Sequence, residues 1–393
     1  MSLWEAYSRS ADADRTGAVE LLAGSDFTIR FNAVGVWSAI ASWSDDLWGR
    51  IAPGGGLILR RDDRRVCNGP ITSYGYDVTV DGETGDYETV IVLEGVTDEI
   101  VLADAIVFPD PARAGTQQDI VSHWRMTGPA EDVMCALVAQ QVGPSARPER
   151  RAVGLAVAPS RGRGPVVSPA IRYGAPNLLA ELQAIARTAG LGFRVVATAD
   201  GGRLFEVYEP NDRAGDIRYG TEMGNVAAQS YRSAAPGTTY ALWGGGGQLQ
   251  SRLQRDATAT DPEVAQWRRR IEVYGDGRDT TEPQELADRA TEAVADGAPK
   301  QSYSFTPVDT DNARLLEHVN LGDRVTVYAG PPGGKRVSTF ADLVREVHGE
   351  LGEDDDELQA AVGSEGASTG VPLPSTQLLL KIRADLQALK GSA

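Results

Sequence analysis

The chain has 393 residues, with 38 Lys and Arg against 55 Asp and Glu, and a formal net charge of −17. Affinity for nucleic acid comes mainly from clustered basic side chains, so this balance argues against nucleic-acid binding and against binding to anionic membranes. The 44 Gly and 21 Pro indicate a turn-rich globular protein, and the length suits about two to four domains.

Neither export nor membrane insertion is expected. Glu5, Asp12 and Asp14 interrupt the start of the chain, where a secretory signal requires a continuous apolar run. No stretch approaches the ~18 consecutive apolar residues of a membrane-spanning helix. Cys67 and Cys135 lack the spacing of a zinc site, and we expect two buried free thiols rather than a disulfide.

The predicted fold class is α+β, mainly β, with two small tube-like β-barrels separated by an α+β insertion. Residues 1–110 are predicted to form the first barrel. Alternation of apolar and polar residues begins at Phe27, and two hairpins follow, turning at Asp62–Asp63 and at Asp81–Gly82. Several short strands at this spacing are typical of a small barrel or sandwich.

Residues 111–213 are predicted to form the α+β insertion. Apolar residues at helical spacing predict one helix over 130–143 and a second over 177–190. The second helix has Asn177 in the N-cap position and a glycine at its C-terminal end. A hairpin with an Asp-Gly-Gly turn follows this helix.

Strand patterns return in residues 214–340, which are predicted to form the second barrel, with a helical insertion at 282–297. Four successive glycines at 244–247 lack the GxGxxG pattern of a dinucleotide site. They indicate a bulge or a close backbone approach, and a contact between subunits would be one form of such an approach.

Residues 341–393 are predicted to form a C-terminal hairpin, a flexible linker and an amphipathic helix. A hairpin turning at 353–356 is favoured over a continued helix because Gly349 and Gly352 disfavour helix, and His348 would then lie on an exposed strand face. The final segment carries an apolar stripe that is expected to dock on another surface. The stripe consists of Leu378, Ile382, Leu386 and Leu389.

We assign no catalytic, metal-binding or cofactor-binding residue from the sequence. His123, His318 and His348 lie in unrelated contexts without the spacing that brings two imidazoles to one metal. The segment 329–338 resembles a phosphate-binding loop only superficially and is expected to be a hairpin loop. The acidic run at 353–357 lacks the alternating ligands of a calcium loop and is expected to be a solvated turn.

Three tryptophans within one short stretch, Trp37, Trp43 and Trp48, suggest an aromatic surface. Such residues fill a core or a subunit interface more often than they bind a glycan. Trp43 and Trp48, flanked by Asp45 and Asp46, are therefore expected to anchor a neighbouring protein.

The order of several segments resembles a known family, although no single segment is a strong signature. The segments are FTIRFNAVGVWSAIA, GGGLILRRDDRRVCNGPI, VTDEIVLADAIVFPDP, NLLAELQAIARTAGLGFRV, TTYALWGGGGQLQSR, WRRRIEVYGDGRDTT and LGDRVTVYAG. Over about residues 20–350 the chain is similar to minor tail proteins of actinobacteriophages with long non-contractile tails, which are siphophages of the ReqiPepy type. These proteins in turn look like relatives of the baseplate hub at the tail tip of other phages.

The resemblance implies a structural protein of the virion tail tip, made in the host bacterial cytoplasm, with no enzymatic activity. Three copies would form a ring, in which two barrels from each copy approximate six-fold symmetry and match the tail tube. The implied partners are the distal tail protein, the tape-measure protein and fibre or receptor-binding proteins. Viral DNA would pass through the lumen without specific binding, helped by negative charge on the channel wall.

The alternative is a tail protein directed at the cell wall, which would bind glycan through the aromatic residues or hydrolyse peptidoglycan. Hydrolysis is the weaker form of this alternative. The adjacent carboxylates of Asp45 and Asp46 do not flank a glycosidic bond from opposite sides, as a general acid and base must.

Overall fold

The computed structural model describes residues 4–62, 64–80, 86–172, 177–247, 251–278, 280–308, 310, 313–352, 356–364 and 367–368. The predicted C-terminal helix and its apolar stripe lie outside these residues, as do the predicted turn at Asp81–Gly82 and most of the acidic turn at 353–356. Among the described residues, no helix combines the length and apolar character needed to cross a membrane.

The chain is mainly β, as predicted, and its first part is built almost entirely of strands. These elements are β1 (Trp4–Arg9), β2 (Arg15–Val19), β3 (Asp26–Arg30), β4 (Ala33–Ser42), α1 (Asp45–Arg50), β5 (Gly56–Arg61), β6 (Arg64–Val80) and β7 (Tyr87–Val96). The predicted turn between β5 and β6 is confirmed, since Arg61 pairs with Arg64 and Asp62 adopts a left-handed φ of 48°.

The middle part contains two longer helices and several short strands. Its elements are α2 (Ile100–Ala103), β8 (His123–Arg125), β9 (Gly128–Pro129), α3 (Ala130–Gln141), β10 (Leu155–Val157), β11 (Val166–Val167), β12 (Ala170–Arg172), α4 (Leu178–Ala189), β13 (Gly192–Ala197) and β14 (Arg203–Tyr208). Both predicted helices are present. The Asn177 side chain accepts a hydrogen bond from the Ala180 N–H, and Gly190 closes α4 at a φ of 67°.

The last part returns to strands. Its elements are β15 (Arg218–Tyr219), β16 (Val226–Ala234), β17 (Tyr240–Gly244), β18 (Gln254–Thr258), α5 (Pro262–Gln266), β19 (Glu272–Asp276), α6 (Pro283–Asp296), β20 (Lys300–Pro307), β21 (Arg324–Ala329), β22 (Ser338–Glu350) and β23 (Glu357–Gly363). The predicted C-terminal hairpin is present as the antiparallel pair β22 and β23.

The strands of the first and last parts join in one main sheet. Its order is β16-β20-β23-β22-β3-β4-β7-β6-β5-β1-β2, with β21 and β15 attached beside β22. The junction is the antiparallel pairing of β3 with β22, in which Glu346 lies opposite Arg30 and their side chains form a 2.7 Å ion pair.

One hydrophobic core lies under this main sheet and draws on both parts of the chain. It includes Phe27, Trp37 and Ile91 from the first part, and Tyr303 and Val347 from the last part. In place of the two separate closed barrels expected from the sequence, the described strands form a shared sheet over a shared core, with no closed barrel among them. The β3–β22 pairing joins the two parts, and no local pattern in the sequence reveals it.

The middle part has a second core, and we call it the insertion unit. Helices α3 and α4 pack against the β10-β14-β13 sheet, and their apolar side chains meet in the interior. Full burial of one such side chain stabilises the folded state by about 1.5–3 kcal/mol. The core also includes Leu102 and Val107, which lie before residue 111, the predicted start of the insertion.

A third, smaller layer is formed by the residues that lie between β16 and β20 in the sequence. Strands β18, β17 and β19 form their own sheet, against which α6 packs, so β17 and β19 do not belong to the main sheet. The glycine run at 244–247 packs against α6 in this layer. A Cβ atom at Gly245 would lie 2.5 Å from Leu286 Cδ1, so the close approach predicted for 244–247 is a contact within the chain.

The insertion unit is attached to the main sheet through the free edge of β13. The Asn32 side chain donates to the Leu191 carbonyl at 3.1 Å and accepts from the Phe193 N–H at 2.7 Å. Asn68 makes the same pair of bonds four residues further along β13. The two amides satisfy backbone groups as a neighbouring strand would, and they fix where the insertion unit lies on the main sheet.

A buried ionic cluster completes this attachment. The Asp98 carboxylate accepts two bonds from the Arg9 guanidinium, at 2.6 and 2.8 Å, and one from Arg203 Nε at 2.7 Å. Asn68 Nδ2 donates a further bond to Asp98 at 2.6 Å. Arg9 belongs to the main sheet and Arg203 to the insertion unit, so Asp98 joins the two.

Candidate functional site: an aromatic surface and a projecting arm

The three clustered tryptophans divide into one core residue and two surface residues. Trp37 is 2% exposed, and its Nε1–H donates to the Val96 carbonyl at 3.1 Å. Trp43 is 37% exposed, and Trp48 is half-buried at the margin of the main core. Trp37 is therefore a core residue, whereas Trp43 and Trp48 reach the surface, and the interface role expected of them stays a prediction.

Helix α1 positions Trp48. The Ser44 hydroxyl caps the helix by accepting from the Leu47 N–H at 3.1 Å, and Leu47 is buried beneath it. Asp45 and Asp46 occupy the first turn, where negative charge is favourable, and Asp46 forms an ion pair with Arg50 at 3.1 Å. The two carboxylates thus stabilise a short helix that holds an indole at the surface.

Two tyrosines from β6 complete an aromatic cluster with these tryptophans. The ring centroids of Trp43 and Trp48 are 5.1 Å apart, and Tyr76 lies 5.6 Å from Trp43 and 5.8 Å from Trp48. Tyr74 lies 5.8 Å from Trp48. Tilted and edge-on contacts of this kind are worth about 0.5–1.5 kcal/mol each. The rings therefore pack on one another and do not form one flat platform.

The cluster lies beside a hairpin that we call the arm, made of residues 72–80 of β6 and 87–94 of β7. Its outer end, from Val78 and Thr89 onward, extends past the last pair between β7 and β4, which is Val90 with Ser42. Along β6, alternate residues share one face, and Tyr87 lies opposite Val80 on the same face. These side chains are apolar and exposed. The exposed fractions are 43% for Tyr74, 57% for Tyr76, 50% for Val78, 52% for Val80 and 75% for Tyr87.

Sequence reasoning identified Trp43 and Trp48 but missed Tyr74, Tyr76 and the exposed face of the arm. The signal is present in the alternation from Tyr74 to Val80, which predicts a hairpin strand and leaves its exposure open. Alternation shows that residues share a face, but it does not show whether that face meets the core or solvent.

The three histidines lie on different elements, with His123 in β8, His318 in the segment before β21 and His348 in β22. His348 is buried rather than on the exposed strand face expected from the sequence, and its Nδ1 lies 3.0 Å from the Thr28 hydroxyl. His318 Nδ1 accepts from the Arg314 N–H at 3.3 Å in a surface turn. In the described part of the chain, no group of three His, Cys, Asp or Glu residues is arranged to hold a metal ion.

The remaining candidate motifs are structural. Cys67 and Cys135 are buried free thiols, as predicted, and burial raises the pKa of Cys135 to about 11. A thiol with so high a pKa carries little of the reactive thiolate at neutral pH. The loop that resembled a phosphate-binding motif connects β21 to β22, with Ala329 paired to Ser338, so it is the predicted hairpin loop.

Solved phage tail proteins share this fold. The prophage MuSo2 43 kDa tail protein from Shewanella oneidensis is 13% identical, with a TM-score of 0.54 over 92% of this chain and 98% of the other. The tail protein from Neisseria meningitidis MC58 is 14% identical, with a TM-score of 0.55 over 94% and 99%. The prophage tail protein gp18 from Listeria monocytogenes EGD-e is 11% identical, with a TM-score of 0.51 over 97% and 98%.

No curated protein sequence matches the chain significantly. Residues 2–364 match the family described as Siphovirus ReqiPepy6 Gp37-like protein. This match spans the main sheet, the insertion unit and the small layer with α6. The chain therefore belongs to the ReqiPepy6 Gp37-like family of siphovirus tail proteins.

Proposed function

We propose that this tail protein is the hub of the tail tip, a structural ring that continues the tail tube. The observation that carries the proposal is the extent of the likeness: almost the whole chain, from residue 2 to 364, belongs to one tail-protein family. The three solved tail proteins are likewise covered over nearly their full lengths. The shared architecture is thus the tail-protein fold itself rather than a module attached to it.

Three copies form the ring in this proposal. Residues 1–110 and 214–340 supply two tube-forming parts for each copy, 111–213 form the insertion between them, and 341–393 form the C-terminal hairpin and docking tail. The main sheet would hold the two tube-forming parts together in each copy, because strands from both lie side by side over one core. Two similar parts in each of three copies would match the six-fold symmetry of a tail tube.

The ring would contact the distal tail protein, the tape-measure protein and the fibre or receptor-binding proteins. Viral DNA would pass through its lumen without specific binding. The net charge of −17 supports this, since a negative channel wall repels phosphates. The proposal assigns no catalytic, metal-binding or cofactor-binding residue, and it places the protein in the virion after synthesis in the host cytoplasm.

Localisation and stoichiometry in purified phage test this function. We expect antibody labelling at the tail tip, and quantitative mass spectrometry to give three copies for each virion. Labelling along the tail shaft or on the capsid would refute the hub assignment. Peptidoglycan zymography and a glycan pull-down test the cell-wall alternative, and activity in either assay from a monomeric chain would favour that alternative.

A further inference from the structure

Among the described residues, no strand pairs with the outer edge of residues 72–80 in the arm. Strand β5 pairs with β6 only as far as Pro70, and β7 occupies the opposite edge of residues 72–80. The last bond on the β5 side is donated by the Ile71 N–H to the Gly55 carbonyl at 2.9 Å. Monomeric proteins protect such edges with lysine, proline or other charges, because an unprotected edge pairs with another strand.

The sequence of the arm lacks that protection. Residues 72–80 contain one charged side chain, Asp77, and neither lysine nor proline. Beyond the last pair between β4 and β7, which is Ser42 with Val90, the arm is a two-stranded ribbon. Such a ribbon is marginally stable in water on its own, so it gains stability when a partner covers its exposed apolar face. The edge and the face together therefore indicate a contact surface.

The exposed area is large enough for a specific protein contact. Full-size aromatic side chains bury roughly 150–250 Å² each, so the exposed parts of the arm and Trp43 provide about 500 Å² of apolar surface. A patch of this area is near the upper limit for a monomeric protein, and patches of that size commonly mark interaction sites. One partner in a standard interface contributes about 800 Å², and the apolar face would supply the central part of that area.

The chain itself carries a second surface of the complementary kind. Strand β16 is an end strand of the main sheet, and in the described part of the chain it pairs only with β20. It has nine residues, with Arg232 as its single charged side chain. Two different free edges on one chain allow copies to join head to tail, and such contacts form a ring when the rotation between copies closes.

We infer that the arm of each copy is covered by a second copy of this chain, whose β16 edge receives it. This inference rests on the proposed function, which places several copies side by side, and it identifies the surfaces that hold them together. The aromatic cluster anchors the base of the contact, and the free edge of β6 extends it by strand pairing.

Matched tyrosine variants test the arm in solution. Tyr76 and Tyr274 are 57% and 56% exposed, and Tyr274 lies on β19, away from the arm. With oligomeric state measured by native mass spectrometry over a concentration series, Tyr76→Ser is expected to raise the dissociation constant of the oligomer roughly 30-fold. Tyr274→Ser is expected to change it less than about 3-fold. Equal effects of the two variants, or a wild-type chain that stays monomeric, would overturn the inference.

Cysteine cross-linking tests the pairing of the two surfaces. The native thiols are buried, so a bismaleimide reports on introduced cysteines. Mixed chains carrying Val80→Cys and Ser230→Cys are expected to give a covalent heterodimer. Val80→Cys mixed with Val166→Cys, an exposed position in the insertion unit, is expected to give none.

The same cross-linking in phage particles separates failure of this inference from failure of the hub function. Virions that contain the chain at the tail tip but link Val80→Cys only to another tail protein would overturn the inference and leave the hub function intact. Absence of the chain from the tail tip would refute the hub function whatever the cross-links. Linkage between two copies through Val80 and Ser230 supports the inference.

Discussion

Replacing Asp98 with asparagine is expected to weaken the junction between the main sheet and the insertion unit. The carboxylate is fully buried and accepts charge-assisted bonds from Arg9 and Arg203. Asp98→Asn retains the shape but leaves two buried guanidinium groups facing a neutral amide, whose N–H₂ group is itself a donor. Removing one partner of a buried ion pair costs about 3–5 kcal/mol.

A loss of this size is large beside the total stability of a folded domain, about 5–15 kcal/mol. With an unfolding entropy of about 2.1 cal/mol/K per residue over 393 residues, we expect Tm to fall by about 4–6 °C. Thermal unfolding followed by circular dichroism measures the change. The matched control is Asp212→Asn, because Asp212 pairs with Arg324 at 3.3 Å but its side chain is 66% exposed. Breaking such a surface pair costs less than about 1 kcal/mol.

The pH dependence of the same variants provides a second measurement. Burial alone would raise the pKa of Asp98, but hydrogen bonds and positive charge from Arg9 and Arg203 outweigh it and hold the pKa below its usual value. The stabilisation is therefore present above the unfolded pKa of about 4 and is lost as pH falls through the lowered folded value. The stability of Asp98→Asn should lack this pH-dependent contribution. If its stability equalled that of Asp212→Asn at neutral pH, the structural role given to Asp98 would be wrong.

Three further changes test other contacts. Asn68→Ala removes the amide that bonds β13, so amide hydrogen exchange in β13 should accelerate while exchange in α3 remains slow; unchanged β13 protection would contradict the attachment described here. Burial and the charge of Glu292 raise the pKa of Glu181 to about 7, so the wild type should lose stability as pH rises from about 4.5 to 7, and Glu181→Gln should flatten that slope in denaturant titrations. Gly245→Ala places a methyl group against buried Leu286 and should destabilise the small layer by about 1–3 kcal/mol, measured by protease susceptibility between β16 and β20.

Local features of the fold were predictable from the sequence because they depend on neighbours along the chain. The Asn177 cap and Gly190 define α4, and the charged turn at Asp62 defines the β5–β6 hairpin. The β3–β22 pairing was not predictable, since its partners lie more than 300 residues apart and their register depends on tertiary packing. The two barrels inferred from strand spacing thus became one sheet.

In the candidate site, too, local features were predictable and tertiary ones were not. Trp43 and Trp48 lie five residues apart, so the sequence alone brings them together, but the short helix α1 between them was not predicted. Tyr74 and Tyr76 come from another hairpin, and only the folded chain brings them to the tryptophans. Exposure of the arm is likewise a tertiary property, because it depends on where the neighbouring strand β5 stops pairing.

The β3–β22 junction also constrains the order in which the chain can fold during synthesis. The insertion unit has a core drawn from residues 102–207, so it can become compact while the ribosome is still making the last part of the chain. The main sheet cannot close at that stage, because β3 must wait for β22 to leave the ribosome. The edge of β3 that receives β22 therefore stays unpaired for most of translation, a period in which premature association with other chains competes with folding.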